Sequence, residues 1–501
     1  MKINIGPSFC TVEGTNAELS WLSGVLTFKV PGAQYSTLYK RHQWDGKKRF
    51  LNFKERAFPI GLLSYVLKAD KANQIIINDT REFPKVNDES FALNTIILRD
   101  YQIDAVKACL KYKNCLVEVA TNGGKTAIFS CLIKKLYPTP ILVLTHRKEL
   151  LDQTVKFIER YTGLECGFIT STDLLIKPIT VAMITTLVNR IDVDQEVTDF
   201  FKSLKCVIHD EVHHAEAKQF STVLAACPAP YRWGFSGTVP PEKDFKGVLV
   251  RQFLGDVVFK ISNKELIDRE VSAKPKVYLC EIDVTASVKG VFALAKDEVA
   301  TEIADVKKMF AAGQIEEKVY DAKIAKISSP RHLMKKVYDF TIKKGIVGND
   351  ERNNRVIDII NKNANKSVLV VVDYLEHGRL MEQLLRKNKI DATFISGDLI
   401  EAKVRKLALL DFKNGKLKVL VSTCIIDEGI DIDKIELLIL LAGKKSRRQL
   451  LQRFGRCLRK KEGENVVSVF DFVDIGNKYL LGHSRERLAI YKHEQFDLDF
   501  V

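Results

Sequence analysis

The chain has 501 residues, of which 46% are hydrophobic and 28% charged, with a formal net charge of +15. This length predicts two to four domains, and the basic excess favours a polyanionic partner, usually nucleic acid. No apolar run is long enough for a membrane span, and no signal peptide is evident, so we expect a cytoplasmic protein without a membrane partner. The ten cysteines form no C-x-x-C pair, which favours buried free thiols over zinc sites or disulfides.

Residues 1–90 are predicted to form a small α+β domain. The segment 21–30 has the composition of a strand. The segment 39–51 interleaves aromatic and basic residues around Asp45-Gly46, which predicts a charged hairpin. Residues 40–56 contain seven Lys or Arg against two Asp or Glu. A solvated surface would explain this pattern, and so would contact with a DNA backbone.

A polar linker is predicted at 78–94, and apolar strands then alternate with helical segments. This alternation predicts a parallel sheet covered by helices on both faces. A second series of the same kind follows and contains a charged, helix-prone insert at about 285–362. We therefore predict an α/β chain with one sheet domain at 91–265 and another at 266–501. The expected strands lie at 115–119, 141–144, 206–209, 231–235, 276–282, 367–372, 392–396, 417–422, 436–441 and 466–470.

The segment 119–126, Val-Ala-Thr-Asn-Gly-Gly-Lys-Thr, stands between a predicted buried strand and a predicted helix. This layout is typical of a phosphate-binding loop, in which backbone N–H groups face the anion. Lys125 would reach the outer phosphates, and the Thr126 hydroxyl would ligate Mg²⁺. The full pattern has glycine at position 119, where this chain has valine, so an ordinary strand-to-helix turn is the alternative. The expected nucleotide-binding residues are Thr121, Asn122, Gly123, Gly124, Lys125 and Thr126.

Asp210 and Glu211 follow the predicted strand at 206–209. Ligands of open parallel sheets bind at the carboxyl ends of the strands, so these carboxylates should lie beside the phosphate loop. Asp210 could hold Mg²⁺, and Glu211 could orient or deprotonate a water that attacks the γ-phosphate. An acidic helix N-terminus is the alternative explanation.

The motifs together resemble those of superfamily 2 helicases. The loop and Asp210-Glu-Val-His213 resemble motifs I and II, and 98–102 resembles the adenine-recognising glutamine motif. Further matches are 145–150 (Ia), Thr185-Thr186 (Ib), 236–238 (III), 371–373 (IV), 396–397 (the neighbour of IV), 422–431 (V) and 449–459 (VI). The resemblance implies two tandem RecA-like lobes that bind ATP and Mg²⁺. It further implies ATP contacts at Arg99, Gln102, Gly429, Asp431 and Gln452, nucleic-acid contacts at His146, Arg147, Thr185, Thr186 and Thr423, and coupling residues His213, Ser236 and Thr238.

The segment 449–459 matches Q-x-x-Q-R-x-G-R-x-x-R over its whole length. Arg456 and Arg459 are the candidate arginine fingers, since cations there would neutralise charge that builds on the γ-phosphate. The chain departs from the helicase pattern at Val119, at Asn122 and at the glycine of Ser236-Gly-Thr238. Asn tolerates left-handed backbone, so a phosphate loop stays feasible.

The N-terminal segments 44–51 and 58–63 are similar to the N-terminal domain of UvsW-type phage helicases. This resemblance implies ATP-driven unwinding or migration of branched DNA, with a monomer acting in the host-cell cytoplasm. The implied DNA contacts in this domain are Arg41, Trp44, Lys47, Lys48 and Arg49. Three alternatives stay open: a restriction-system translocase, an RNA helicase, and a DNA clamp that uses ATP as a switch.

Overall fold

The computed structural model describes residues 1–72, 74–87, 90–212, 218–396, 402–423, 435–441, 450–451, 454 and 465–501. The chain divides into two compact units, Met1–Leu266 and Ile267–Val501. Each unit contains a large, mainly parallel sheet, so the predicted α/β class is confirmed. Within these ranges, no helix has both the length and the apolar character needed to cross a bilayer.

The N-terminal part of the first unit contains a four-stranded sheet and a separate two-stranded ribbon. The four-stranded sheet has the order β5-β2-β1-β6, and β1 pairs with β6 in parallel and with β2 antiparallel. Its strands β1 and β2 alternate buried and more exposed residues, as expected for strands with one buried face, whereas β5 is wholly buried and β6 wholly exposed. The elements are β1 Lys2–Ile5, β2 Phe9–Glu13, α1 Asn16–Val25, β3 Thr27–Lys29, α2 Thr37–Lys40, β4 Lys47–Arg49, β5 Ala57–Pro59, α3 Leu63–Ala69 and β6 Ile76–Asp79.

The strand predicted at 21–30 is wrong, because α1 continues to Val25 and only the three residues of β3 are extended. The helix begins with a capping box that the strand prediction overlooked. The Glu18 N–H donates to Thr15 Oγ1 at 3.3 Å, and the Thr15 N–H donates to Glu18 Oε2 at 2.7 Å. These reciprocal bonds satisfy two N-terminal donors that would otherwise lack partners, and they favour helix over strand.

The hairpin predicted around Asp45-Gly46 is also wrong. Strand β4 pairs antiparallel with β3, so that Lys47 lies opposite Lys29, and the residues before Asp45 form α2 and irregular backbone. Gly46 has a φ of 75° and returns the chain to the ribbon. The predicted linker at 78–94 begins too early, because residues 78 and 79 belong to β6.

The rest of the first unit is built on an eight-stranded sheet of order β10-β9-β11-β8-β12-β13-β7-β14. All neighbours are parallel except β9 and β10. Every residue of β8 and β13 is buried, which is the mark of a sheet covered on both faces. The strands are β7 Asn114–Val119, β8 Ile141–Thr145, β9 Gly167–Ile169, β10 Leu174–Leu175, β11 Ile179–Met183, β12 Cys206–Asp210, β13 Tyr231–Ser236 and β14 Val257–Ile261. The helices are α4 Asp100–Tyr112, α5 Lys125–Leu136, α6 Lys148–Thr162, α7 Ile184–Arg190, α8 Gln195–Ser203, α9 Lys218–Ala226, α10 Phe245–Arg251 and α11 Asn263–Asp268.

The second unit has a seven-stranded, all-parallel sheet of order β17-β18-β16-β19-β20-β15-β21. Its two faces bury separate cores: Val277 and Leu279 lie in one, and Cys280 and Ile282 lie in the other. The predicted helix-prone insert is helical. The strands are β15 Lys274–Asp283, β16 Val368–Val371, β17 Ala392–Ile395, β18 Val419–Ser422, β19 Leu437–Leu440, β20 Val466–Ile475 and β21 Asp497–Phe500. The helices are α12 Val291–Ala311, α13 Glu317–Ile327, α14 Pro330–Ile342, a π-helix Lys343–Val347, α15 Asp350–Lys362, α16 Leu375–Lys387, α17 Ala402–Lys413 and α18 Lys478–His493.

Candidate active site

The loop between β7 and α5 has the backbone of an anion-binding turn. Asn122 has a φ of 71° and Gly124 a φ of 80°, both in the left-handed region. Glycine enters this region without a steric penalty, and asparagine does so more readily than most residues. Asn122 therefore supplies the backbone conformation that this position needs. Lys125 and Thr126 then open α5, whose N-terminal N–H groups provide positive potential for a phosphate.

Two close contacts explain which glycines the loop needs. A Cβ on Gly123 would lie 2.4 Å from Val119 Cγ1, so valine at 119 fits only because residue 123 has no side chain. A Cβ on Gly124 would lie 2.3 Å from Gln102 Nε2. The valine that departs from the phosphate-loop pattern is thus accommodated inside the loop itself.

Gln102 joins α4 to the phosphate loop. Its side chain is only 2% exposed, and its Nε2 donates to the Gly123 carbonyl at 3.0 Å. Its Oε1 accepts the Arg99 N–H at 2.9 Å, and Arg99 itself is exposed. The Tyr101 hydroxyl also donates to the Gly123 carbonyl, at 3.0 Å. Tyr101 was missed from the sequence, where only its position beside Gln102 could have pointed to it.

Lys125 and Glu211 form an ion pair of 2.6 Å between Nζ and Oε1, and both side chains are largely buried. Asp210 ends β12, and its Oδ1 accepts the Glu211 N–H at 3.0 Å. Glu211 has a φ of 53°, an uncommon conformation for a residue other than glycine. The predicted basic and acidic residues therefore meet at the carboxyl ends of the parallel strands β7 and β12, between which β13 lies.

Burial raises the pKa of Asp210 to about 6, and the adjacent Glu211 carboxylate adds to the increase. The charges of Lys125 and His146 act in the opposite direction. His146 was predicted to contact nucleic acid, but its charge also acts on the acidic pair. The positive charge near Asp210 thus offsets only part of the cost of burying two adjacent carboxylates, and a divalent cation beside Asp210 would offset more of it. Mg²⁺ at such sites typically takes one or two protein oxygens and completes its shell with phosphate and water, which suits Asp210 and the Thr126 hydroxyl.

The Ser236-Gly-Thr238 segment lies beside the same loop. Ser236 Oγ donates to the Thr238 carbonyl at 2.8 Å and accepts the Thr238 N–H at 3.2 Å, which closes a tight turn. A Cβ on Gly237 would lie 3.7 Å from Lys125 Nζ and 3.8 Å from Thr121 Oγ1. Gly237 is thus next to the reacting region, although the sequence marked it only as a departure from the helicase pattern.

The predicted nucleic-acid residues lie in several places. Arg147 is exposed after β8, and Thr185 is exposed on α7, whereas the Thr186 side chain is only 9% exposed. The Thr423 N–H, just after β18, donates to the Ile395 carbonyl at 3.4 Å. Trp44 is half-buried on the ribbon segment, where Arg41, Lys47, Lys48 and Arg49 are exposed.

Some predicted site residues lie outside the described ranges. They are His213 of motif II, Gly429 and Asp431 of motif V, and Gln452, Arg456 and Arg459 of motif VI. Their roles stay predictions from the sequence.

Comparison with known proteins adds independent findings. The family model described as "Type III restriction enzyme, res subunit" matches residues 95–241, and "Helicase conserved C-terminal domain" matches 351–461. The DNA 3'-5' translocase XPB2 of Sulfurisphaera tokodaii is 26% identical over 80% of this chain and 86% of its own length. The ATP-dependent DNA helicase uvsW of Enterobacteria phage T4 is 21% identical over 95% of this chain and 94% of its own length.

Among solved structures, the ATP-dependent Type ISP restriction-modification enzyme LlaBIII bound to DNA has a TM-score of 0.52 and 15% identity, over 87% of this chain and 34% of that one. This likeness shows the fold. The two family models follow one another along the chain, and the two relatives align with 80% and 95% of it. The chain therefore carries the two domains of an ATP-driven superfamily 2 helicase, and it is similar to uvsW over most of its length.

Proposed function

We propose that the protein uses ATP hydrolysis to unwind or branch-migrate DNA at forks, four-way junctions and R-loops. The observation that carries this proposal is the end-to-end similarity to uvsW, which spans 95% of the chain and so includes the N-terminal part as well as the helicase core. The Lys125–Glu211–Asp210 arrangement supports the ATP-driven half of the proposal. The net charge of +15 supports a nucleic-acid partner.

Hydrolysis begins with an exchange of partners at Lys125. The ammonium now 2.6 Å from Glu211 moves to the outer phosphates of ATP, and Glu211 is released to accept a proton from the attacking water. The N–H groups from Thr121 to Gly124 bind phosphate oxygens at the start of α5. Asp210 and the Thr126 hydroxyl would hold Mg²⁺, which supplies positive charge to the phosphates when bound.

The other predicted residues complete this proposal. Arg99 and Gln102 are proposed to face the adenine side of the site. Ser236 and Thr238 are proposed to link hydrolysis to DNA binding, since Gly237 between them is next to Lys125. Arg456 and Arg459 keep the charge-neutralising role that their motif implies. The proposed nucleotide and coupling contacts at His213, Gly429, Asp431 and Gln452 rest on the motifs alone.

We also propose three domains, at 1–90, 91–265 and 266–501. The support is that each of the three main sheets lies within one of these ranges. Because a single chain contains both large sheets, a monomer suffices for the proposed activity.

The test compares DNA-stimulated ATP hydrolysis and strand separation on forks, four-way junctions, R-loops and linear duplexes at one stated salt concentration. We expect turnover with branched DNA to exceed turnover with linear duplex. Lys125→Ala should abolish turnover while DNA binding persists. Lys134→Ala, on the same helix but bonded to the Ala92 carbonyl, is the matched control. Turnover by Lys125→Ala, or indifference of the wild type to branches, would contradict the proposal.

A second candidate is the translocating subunit of a restriction system. The match of residues 95–241 to the res-subunit model favours it. Displacement of a triplex-forming strand from long linear duplex, without activity on junctions, would support this candidate. A preference for RNA duplexes, or ATP-dependent DNA binding without turnover, would instead support the RNA helicase or the ATP-switched clamp.

A further inference from the structure

The ribbon β3–β4 carries an exposed segment, residues 31–45, at its end. Within this segment Tyr35 is 74% exposed and Leu38 is 54% exposed, whereas Ala33 is buried. Large apolar side chains with this exposure normally lack a structural role in a folded chain, and a group of them marks an interaction surface. We call residues 31–45 the ribbon tip.

The ribbon tip is ordered by its own contacts. The Val30 N–H donates to the Gly46 carbonyl at 2.8 Å, which closes the segment at its base. A Cβ on Gly46 would lie 2.9 Å from the Tyr39 ring and 3.0 Å from the Ala33 Cβ, so these side chains pack directly on the glycine. Trp44 Nε1 donates to the Lys47 carbonyl at 2.8 Å. Tyr35 and Leu38 are therefore presented on a preformed support, which reduces the entropic cost of binding.

The base of the ribbon is joined to the ATP-binding part of the same unit. The Phe28 ring packs edge-on against Tyr65 with centroids 5.6 Å apart. The Tyr65 hydroxyl donates to the Glu242 carbonyl at 3.1 Å, and Lys68 pairs with the Glu242 carboxylate at 2.7 Å. Glu242 follows the Ser236-Gly-Thr238 turn by four residues. The base of the ribbon is thus attached to the loop that follows β13, which also contains Gly237 beside Lys125.

Charge indicates what the ribbon tip contacts. Lys40 and Arg41 are exposed two and three residues after Leu38, and Lys47, Lys48 and Arg49 continue the basic surface along β4. Arg49 is paired with Asp45, at 2.5 Å, and that aspartate is the single acidic residue between 31 and 49. An exposed ring among cations suits a nucleic acid, because phosphates take the cations and a base stacks on the ring.

We propose that the ribbon tip is a wedge that separates strands at a DNA branch. Tyr35 and Leu38 pack against the last base pair of the duplex, while Lys40 and Arg41 hold the flanking phosphates. Apolar side chains inserted at a base step unstack it, and the preformed tip makes that contact without ordering new chain. This inference rests on the proposed function and adds the residues that act on the branch point.

The test uses the full chain with Tyr35→Ala/Leu38→Ala, and Tyr112→Ala as a matched control, since Tyr112 is 53% exposed on α4. We expect the double variant to separate forks and four-way junctions about tenfold more slowly, given the size of a lost stacking contact. Its ATP hydrolysis on single-stranded DNA should equal that of the wild type. Equal unwinding by double variant and control, or a parallel loss of ATP hydrolysis, would overturn the wedge. A wild type without activity on branched DNA would instead overturn the proposed function.

A second measurement reports on stacking directly. Tyr35→Phe keeps the aromatic ring and should unwind DNA at the wild-type rate. Tyr35→Leu keeps only the apolar volume, and its unwinding rate should lie between those of Tyr35→Ala and the wild type. A 2-aminopurine at the branch-point base pair should become brighter when the wild type binds without ATP, and less so with Tyr35→Ala. The same fluorescence change with Tyr35→Ala as with the wild type would overturn the assignment of Tyr35.

Discussion

Two regions of the first unit differ in the contacts of their polar side chains. One is the group of residues around the phosphate loop at the carboxyl ends of β7 and β12, which we call the phosphate edge. The other is the ribbon tip. At the phosphate edge, Lys125 is bound to Glu211, and Gln102 is bound to the Gly123 carbonyl. At the ribbon tip, Lys40 and Arg41 are exposed to solvent. A ligand at the first region must displace contacts within the chain, whereas a ligand at the second adds contacts to existing ones.

This difference suits the two regions to different roles in the proposed DNA unwinding. Displacement at the phosphate edge makes nucleotide binding a change of state, because Lys125 cannot hold Glu211 and a phosphate in the same geometry. DNA that binds Lys40 and Arg41 at the ribbon tip need not break the contacts that order this segment. The ribbon tip can therefore stay rigid while it contacts a duplex. The following changes test these properties, beginning with the largest expected effect.

Removing the charge of Glu211 alters the phosphate edge most. Glu211→Gln should lower kcat for ATP hydrolysis by about 10²–10⁴, the usual contribution of a general base. Steady-state hydrolysis with saturating DNA measures this loss, and binding of a fluorescent ATP analogue should persist. Glu118→Gln is the matched control, since Glu118 lies on β7 and pairs with Lys260 at 3.1 Å. Near-normal turnover by Glu211→Gln would remove Glu211 from the mechanism.

Gly61 lies where the N-terminal part packs against the end of α10, and a substitution there tests this packing. A Cβ there would lie 1.9 Å from the Arg251 carbonyl oxygen and 2.5 Å from the Gly255 nitrogen. Gly61→Ala should destabilise the first unit by about 1–3 kcal/mol and lower its melting temperature by roughly 2–12 °C in calorimetry. Gly24→Ala, in α1 with nothing within 4 Å of the added Cβ, should leave the melting temperature unchanged or raise it. Equal melting of both variants would contradict the close packing at Gly61.

The helical insert extends the comparison to a region in which partly buried ion pairs lie beside a small apolar core. The Lys336 ammonium lowers the pKa of Glu302 below its ordinary 4.5, burial opposes this, and His332, at 2.6 Å, lowers it further. A lowered folded pKa gives stability that is present above pH 4.5 and lost as pH falls below it.

Glu302→Gln should therefore reduce hydrogen-exchange protection of α12 at pH 7 by up to about 1 kcal/mol. The difference between the variant and the wild type should shrink as the pH falls through the lowered pKa of Glu302. Asp297→Asn, on the same helix, is the control. A difference that persists unchanged at low pH would contradict the ion-pair explanation.

Gly237 gives the smallest expected effect. Its missing Cβ would make ordinary contacts, 3.7 Å from Lys125 Nζ and 3.8 Å from Thr121 Oγ1. Gly237→Ala should therefore change kcat for ATP hydrolysis by no more than about twofold. A loss of about tenfold or more would mean that the phosphate edge needs this space when ATP is bound.

The sequence was sufficient to predict those parts of the structure that are determined by residues close together in the chain. The strand, the glycine turn and Lys125 are adjacent in the chain, and Asp210 with Glu211 follows a buried strand. Pairings across long distances could not be predicted in this way. The partner of β4 is β3 rather than the residues before Asp45, and the closeness of Gly61 to Arg251 joins residues 190 positions apart.

Two other differences have separate reasons. The helix at Asn16–Val25 could have been predicted, because Thr15 and Glu18 have the spacing of a capping box. The contact of Tyr101 could not, because its position beside Gln102 does not indicate that its hydroxyl reaches the Gly123 carbonyl. The role of a side chain that supports a loop depends on the folded distance alone.

The contacts of Arg232 connect the start of the chain to β13, and they should affect how the first unit responds to proteolysis. Its guanidinium is fully buried and donates to Ser8 Oγ at 2.6 Å and to the carbonyls of Leu224 and Ala229. Phe9 packs against Phe253 with ring centroids 5.6 Å apart. A protease that cuts the chain between residues 80 and 87 should therefore leave the two fragments associated. They should co-elute in gel filtration and separate only in denaturant.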